Sequence, residues 1–270
     1  MNILCHTLRL LPPPLAERFY YRFLCGKQVS GSPTKKVNAR LLPGRVAFNV
    51  LLGDVIGDSL YYTGVYEQFT TSNLLKIASK DGGLFVDVGA NIGYYSLAWI
   101  VARQNNRCVA VEASPRNIEL LQFNLEANEL STACDLKTVA ASDRGGIVSF
   151  DQGPKAQTGW GGISLGVGSG SRVITVKSLP LDELVPEGVE VRLVKIDVEG
   201  AEALVLKGMD RLLRTRQVRE IWFEDNVMRR EKLGISLDEL TEPLKRNGYN
   251  VQISSSANLL PMDFVATRPE

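Results

Sequence analysis

From Leu84 onward the chain alternates short apolar runs with longer segments of helical spacing. Leu84-Phe85-Val86-Asp87-Val88, Cys108-Val109-Ala110-Val111-Glu112, Val191 to Val198 and Val218 to Phe223 have the length and continuous apolarity of strands buried on both faces. Leu136 to Ala141, Gly146 to Phe150 and two stretches near Val251 and Phe264 add further strands. Helices are expected over Tyr94 to Arg103, Ser114 to about Asn128, Ala201 to about Leu213 and Leu237 to Asn247. Ser114 is placed as an N-cap with Pro115 at the first helical position. This alternation predicts a mostly parallel sheet with helices on both faces. Right-handed crossovers then gather the loops after the strands on one edge, where ligands of such folds bind.

Three stretches divide the chain: a basic arm and linker over 1–45, a strand-turn-helix lead-in over 46–80, and the main domain over 81–270. Leu15 to Leu24 reads as a short helix and Gly26 to Arg40 as linker. Gly44 to Gly64 reads as short alternating strands (Val46, Phe48, Val50; Leu60, Tyr61, Tyr62) broken by Gly-Asp pairs. Tyr66 to Ser79 has helical spacing. Eight basic residues against Glu17 alone give residues 1–45 a charge of +7, in a chain whose net charge is +1. The arm either packs on an acidic body or makes a weak contact with an anionic surface. The overall balance argues against a nucleic-acid partner, which calls for a broad positive field.

No run approaches the ~20 apolar residues that a transmembrane helix needs. The cysteines at 5, 25, 108 and 134 form no CxxC pair, which excludes a zinc knuckle or a thioredoxin-type motif. Their sparse use fits a reducing, cytoplasmic setting. His6 is the only histidine and lies in the arm, so a Ser-His-Asp triad, a three-histidine zinc site or a histidine base has nothing to draw on in the core. Any chemistry falls to carboxylates, Lys, Tyr, backbone groups or a cofactor.

Asp87-Val88-Gly89-Ala90-Asn91-Ile92-Gly93 joins the first strand of the main domain to its helix. Gly89 permits a tight turn, Gly93 lets the helix start close to the sheet, and small Ala90 leaves room for a ligand. A dinucleotide fingerprint needs glycine at 91 and 94, where Asn91 and Tyr94 stand. Losing that pyrophosphate approach while keeping an acid suits a ligand with a cationic amino group. Glu112 ends the next strand, where an acid can accept both hydroxyls of an unphosphorylated ribose. Together the two strand ends predict an adenosine-type cofactor.

Phe85–Ser96 (FVDVGANIGYYS), Val109–Pro115 (VAVEASP) and Lys195–Glu202 (KIDVEGAE) resemble the FkbM family of S-adenosylmethionine-dependent methyltransferases, over roughly the 160 residues from Gly64 to Glu224. Ala113 departs from the proline common in the family's EPxP run, while Pro115 is retained. The resemblance implies an α/β fold: a doubly wound, mostly parallel seven-stranded sheet of the class I methyltransferase, Rossmann-like type with a small N-terminal extension. It implies that Asp87, Gly89, Ala90, Asn91 and Gly93 line the methionine part of S-adenosyl-L-methionine and that Glu112 holds its ribose. Ser142 and Asp143 would lie beside the adenine, with Asp143 otherwise an ordinary turn residue. Tyr66 and Glu67 would close over the cofactor. The implied acceptor is a small molecule or glycan: a hydroxyl on a sugar, glycolipid or polyketide.

Methyl transfer is an in-line displacement, so the protein positions the partners, and a hydroxyl acceptor also needs help losing its proton. Asp197 and Glu199 at the fourth strand end, with Glu224 after the fifth, are the candidate catalytic carboxylates, and Asp197 also borders the cofactor. Asp197 and Glu199 can instead serve the following helix as cap and dipole partners. With Asp225, four carboxylates would converge and could bind Mg²⁺. The half-glycine stretch from Gly159 to Gly170 is expected to act as a mobile lid or a plain connection, with Trp160 and Ser164 as acceptor contacts. Two other readings stay open: a cofactor-binding partner protein without catalysis, and an NAD-dependent oxidoreductase.

Overall fold

The computed structural model describes residues 3–25, 34–164, 172–255 and 260–269. Two helices, α1 (Ile3–Leu10) and α2 (Pro13–Phe23), come first, then a hairpin of β1 (Thr34–Asn38) and β2 (Ala47–Leu51), then α3 (Val55–Thr63) and α4 (Gln68–Lys80). Two expectations for this extension are corrected. Residues 26–33 of the expected linker lie outside the described residues, and Thr34–Asn38 is a strand that pairs antiparallel with β2 and buries Val37. Leu60-Tyr61-Tyr62, expected as strand, lies in α3. Asp54 caps that helix by accepting from the Gly57 N–H at 3.2 Å, and Gly64 ends it in the left-handed region. Gly57 is required by a close approach: a Cβ there would stand 1.9 Å from the Leu51 carbonyl oxygen.

The main domain runs β3 (Leu84–Val88), α5 (Tyr94–Ala102), β4 (Arg107–Val111), α6 (Pro115–Ala127) and β5 (Cys134–Lys137). An excursion follows, made of β6 (Ala140–Ala141), β7 (Gly146–Asp151), β8 (Gly162–Ile163) and β9 (Val173–Leu179). The chain then returns through α7 (Leu181–Leu184), β10 (Val191–Ile196), α8 (Glu202–Lys207), α9 (Asp210–Arg214) and β11 (Glu220–Phe223). It ends with α10 (Val227–Lys232), α11 (Leu237–Arg246), β12 (Asn250–Ile253) and β13 (Phe264–Thr267). Seven strands form the expected mostly parallel sheet in the order β12-β13-β11-β10-β3-β4-β5, with only β13 antiparallel to its neighbours. Strand order reverses between β3 and β10, the switch point of a doubly wound sheet.

The run expected as one strand over Leu136 to Ala141 splits, because β6 leaves β5 to pair with β9 in a separate four-stranded sheet, β6-β9-β7-β8. The expected helix from Ala201 to Leu213 breaks at Gly208, where a Cβ would meet the Ser142 carbonyl oxygen at 2.1 Å. Ser114 stands at the N-cap of α6, with Pro115 following, yet its hydroxyl makes no cap bond. Among the described residues no disulfide joins the four cysteines. Among the described residues, no helix is long and apolar enough to cross a membrane.

Alternation along the central strands prepares the site. Phe85 and Leu193 face one apolar core, whereas Val86, Val88, Val194 and Ile196 face the other. Counting by twos from the first face through Ala110, Leu193 and Trp222 reaches Glu112, Lys195 and Asp197, and Glu224. Asp87 shares that face and stands beside Lys195 in the β3–β10 register. The sheet therefore presents its polar residues at one end of one face.

Candidate active site

Beyond the C-terminal ends of β3, β4, β10 and β11 lies a cleft of about 1170 Å³ including its open mouth. Of the residues expected in the site, Gly89, Ala90, Asn91, Glu112, Asp197, Glu199, Glu224 and Trp160 line it, as do Tyr66 and Glu67. Gly89 is fixed twice over: its φ is +80°, and a Cβ would stand 1.9 Å from the Asp197 carbonyl oxygen. Its N–H and that of Ala90 donate to the Val111 carbonyl at 2.9 and 3.1 Å. The Asn91 N–H donates to Glu112 Oε2 at 2.7 Å. The turn therefore offers a ligand acceptors rather than the free amides that suit a phosphate.

Glu112 also accepts from the Ala113 and Ser114 N–H groups at 2.9 and 2.8 Å, both on Oε1. Three bonds leave lone-pair capacity on a carboxylate that has about four sites. Burial pushes its pKa up against the pull of those amides. Nearby, Asn91 Oδ1, Asn117 Oδ1 and Gln157 Oε1 are buried without a protein donor, and all three residues line the cleft. Such acceptors are costly unless a ligand or water supplies the donor.

Other expected residues lie off the lining. Asp87 sits beneath the floor, fully buried, accepting from the Ser96 hydroxyl at 2.6 Å. Gly93 starts α5 in the left-handed region and faces Leu121 and Leu97. The Ser142 N–H donates to Leu179 at 3.0 Å, and its hydroxyl donates to Asp143 at 3.2 Å. The pairing of β6 with β9 carries both past the cleft, so Val139, Ala140 and Ala141 form that wall. Ser164 continues the β7–β8 pairing, its N–H donating to Ser149 at 2.9 Å.

Asp225 turns away from the other carboxylates to Arg230, whose Nε lies at 2.7 Å and Nη2 at 3.2 Å. Among the described residues no three His, Cys, Asp or Glu side chains come together to hold a metal. The four carboxylates considered for Mg²⁺ therefore do not form one ligand set among the described residues.

At the floor, Lys195 Nζ lies 3.0 Å from Asp197 Oδ2 and 4.9 Å from the Tyr95 ring centre. The Tyr95 hydroxyl donates to Glu67 at 2.5 Å. Burial opposes the lysine's charge, but Asp197, Asp87, Glu224 and Glu67 outweigh it and its pKa moves up. The charge of Asp197, followed by burial, pushes Glu224 up to about 8 against the pull of Lys195. Burial and then Asp197 raise Glu199, which accepts from Asn226 Nδ2 at 2.8 Å. Glu67, Asn91 and Glu199 all have positive φ, strain concentrated around this cleft.

The sequence pattern left out Asp54, Asn117, Thr158 and Tyr95, all of which line the cleft. Asp54 accepts from the Thr158 N–H at 2.9 Å and from its hydroxyl at 3.0 Å. Asn117 Nδ2 donates to the Thr158 carbonyl at 2.9 Å. These bonds fasten a single 3-10 turn, Thr158–Trp160, over the site. The start of the expected lid is thus anchored, while 165–171 lie outside the described residues. An N-cap aspartate before a helix was the one available signal for Asp54.

A family model described as the methyltransferase FkbM domain matches residues 87–251. A hexuronic acid methyltransferase, AglP, of Haloferax volcanii is 37% identical over 152 residues, which is 55% of this chain and 59% of that protein. A tRNA wybutosine-synthesizing protein 2 homolog of Danio rerio is 32% identical over 127 residues, 39% of this chain and 31% of that protein. The chain therefore spans less than two thirds of either curated relative. Among solved structures, a methyltransferase FkbM from Methylobacillus flagellatus aligns with a TM-score of 0.48 at 18% identity, covering 70% of this chain and 44% of the other.

Proposed function

Because the chain belongs to the FkbM methyltransferase family, we propose that it is an S-adenosylmethionine-dependent methyltransferase that acts on a hydroxyl of a sugar-type acceptor. The observation that carries the reading is the pairing of two carboxylate environments in one cleft: Glu112 at the end of β4 and Glu224 beside Asp197 at the ends of β11 and β10. The residues present fit the cofactor, because the turn at Gly89 to Asn91 and the unpaired oxygens of Asn91, Asn117 and Gln157 suit a ligand rich in donors and carrying a cationic amino group. When bound, S-adenosylmethionine supplies an electrophilic methyl group on a sulfonium. Glu112 holds ribose hydroxyls, and Asn91 faces the amino-acid end.

The remaining work is the protein's own. Glu224, its pKa pushed up to about 8, takes the proton of the acceptor hydroxyl through its ionised fraction, which grows as pH rises from neutral through 8. Lys195 keeps the neighbouring Asp197 carboxylate in place through their 3.0 Å contact. Trp160, 51% exposed at the mouth, offers a flat apolar face for a sugar ring. The match to a hexuronic acid methyltransferase favours a sugar acceptor. The net charge of +1 supports a non-nucleic-acid substrate, despite the shorter match to a tRNA-modifying protein.

Calorimetric titration with S-adenosylhomocysteine and with NAD, followed by mass-spectrometric detection of methyl transfer to a pyranoside panel, tests this. Binding of the first ligand and hydroxyl methylation that is lost in Glu224→Gln are expected. Binding of NAD alone sinks the reading. Cofactor binding with no transfer to any acceptor hydroxyl moves the weight to a partner protein without catalysis.

A further inference from the structure

Helix α2, in the arm that precedes the main domain, exposes large apolar side chains. On α2, Ala16 and Tyr20 are buried, with the Tyr20 hydroxyl donating to the Val55 carbonyl at 3.3 Å. Bordering this buried face, Leu15, Phe19 and Phe23, spaced four residues apart, are 54%, 36% and 47% exposed. Spacing by four stacks side chains on one side of a helix, and the two phenylalanine rings lie 4.8 Å apart. Arg18 and Arg22 are exposed beside them.

The charges of the arm are sorted between inside and outside. Arg9 turns inward to the Leu60 and Tyr61 carbonyls, and Arg40 to those of Thr63 and Leu11, so these two cations serve the C-terminus of α3. Glu17, the only acid in residues 1–45, also turns inward and accepts from the Gln68 N–H at 3.0 Å. What α2 shows to the outside is therefore an apolar stripe with Arg18 and Arg22 along one side, Tyr21 beyond them, and no acid.

We propose that this face of α2 seats the protein on an anionic lipid bilayer, with Leu15, Phe19 and Phe23 in the headgroup boundary and Arg18 and Arg22 on lipid phosphates and carboxylates. A short helix with aromatic and leucine residues on one face and arginines along its border has the chemistry of an interfacial anchor. A second copy of the chain fits less well, because a two-fold contact would bring the same arginines together. The seat is mechanically tied to the cleft: Glu17 holds Gln68, next to Glu67 in the cleft wall. It does not depend on the methyltransferase reading.

Vesicle co-sedimentation of the full chain, with phosphatidylcholine alone and with added phosphatidylglycerol, tests it. Binding to the anionic vesicles only, weakened by high salt, is expected. Phe19→Ser/Phe23→Ser and Arg18→Glu/Arg22→Glu should each reduce binding at least about tenfold, since each arginine near an anionic surface contributes roughly a fivefold factor and burial of a phenylalanine side chain about tenfold or more. Circular dichroism and thermal midpoints should match the parent, because the altered side chains are exposed. Equal binding to neutral vesicles, no binding, or binding untouched by both variants overturns the proposal. So does a dimer in light scattering that Phe19→Ser/Phe23→Ser dissociates, which would make the face a contact between copies.

Discussion

Asp87 and Lys195 stand side by side on adjacent parallel strands, both essentially buried, on the same face of the sheet. Lys195 is thus the counter-charge for a floor that also contains Asp197, Glu224 and Glu67. A lone lysine at 2% exposure is tolerable only because carboxylates surround it.

Replacing it should expose that dependence. Lys195→Met leaves buried carboxylates uncompensated and is expected to destabilise the fold by about 3 kcal/mol, the low end for a broken buried pair because Asp197 is 31% exposed. The loss should grow with pH, since at low pH the raised carboxyls take up protons instead. Urea denaturation at two pH values checks this; a pH-independent loss would mean that packing, not charge, is the lysine's contribution.

Glu224 makes a signed prediction of its own. Its folded pKa, about 8, lies above the ordinary 4.5, so the folded state holds a proton that the unfolded chain has lost. That stabilisation is complete below about pH 4.5 and disappears as pH rises through 8. Glu202, which burial pushes up to about 7, acts in the same direction. Stability should therefore fall between pH 5 and 8, and Glu224→Gln should flatten the fall. Methyl transfer should rise over the same range, as Glu224 ionises with its pKa of about 8. A falling rate with rising pH would remove Glu224 as the base.

Much of this site was legible because it sits at strand ends, where short-range pattern and chain direction determine position. Gly89, Glu112, Asp197 and Glu224 each follow an apolar run, and alternation alone puts Glu112, Asp197 and Glu224 on one face. What escaped depends on contacts between distant segments. Leu60-Tyr61-Tyr62 has strand-like residues, yet Asp54 starts a helix there and Gly57 lets it lie on β2. Asp54 reaches the cleft only because Thr158, more than a hundred residues on, folds back to it. Ser142 and Asp143 lie off the cleft lining for the same reason: the departure of β6 to pair with β9 has no local signal. The partnership of Asp225 with Arg230 is a local contact instead, made because α10 turns Arg230 back toward the strand end.

Gly89→Ala should be among the most damaging single changes in the domain. It combines a left-handed backbone, costing about 1–2 kcal/mol, with a Cβ placed 1.9 Å from the Asp197 carbonyl oxygen, so β10 must move. A total loss of about 2–5 kcal/mol is expected, read by chemical denaturation. A thermal midpoint like that of the parent would show that the turn is not held against β10 as described.

Glu112 separates holding a ligand from holding the turn. Glu112→Gln keeps the shape and one carbonyl acceptor but forfeits the charge, whereas Glu112→Ala releases the Asn91, Ala113 and Ser114 amides altogether. Hydrogen bonds to a charged partner contribute about 1.5–3 kcal/mol, so S-adenosylhomocysteine binding should weaken roughly 10- to 150-fold in Glu112→Gln. The thermal midpoint should drop more in Glu112→Ala than in Glu112→Gln, because the former leaves three buried donors unpaired, whereas Gln with its carbonyl toward Ala113 and Ser114 leaves only the Asn91 N–H. Trp160→Ala, at the mouth, should leave cofactor binding within about twofold while raising the KM for the acceptor. Titration calorimetry on the three variants decides the matter: equal affinity in the parent and Glu112→Gln would place the ribose elsewhere in the cleft.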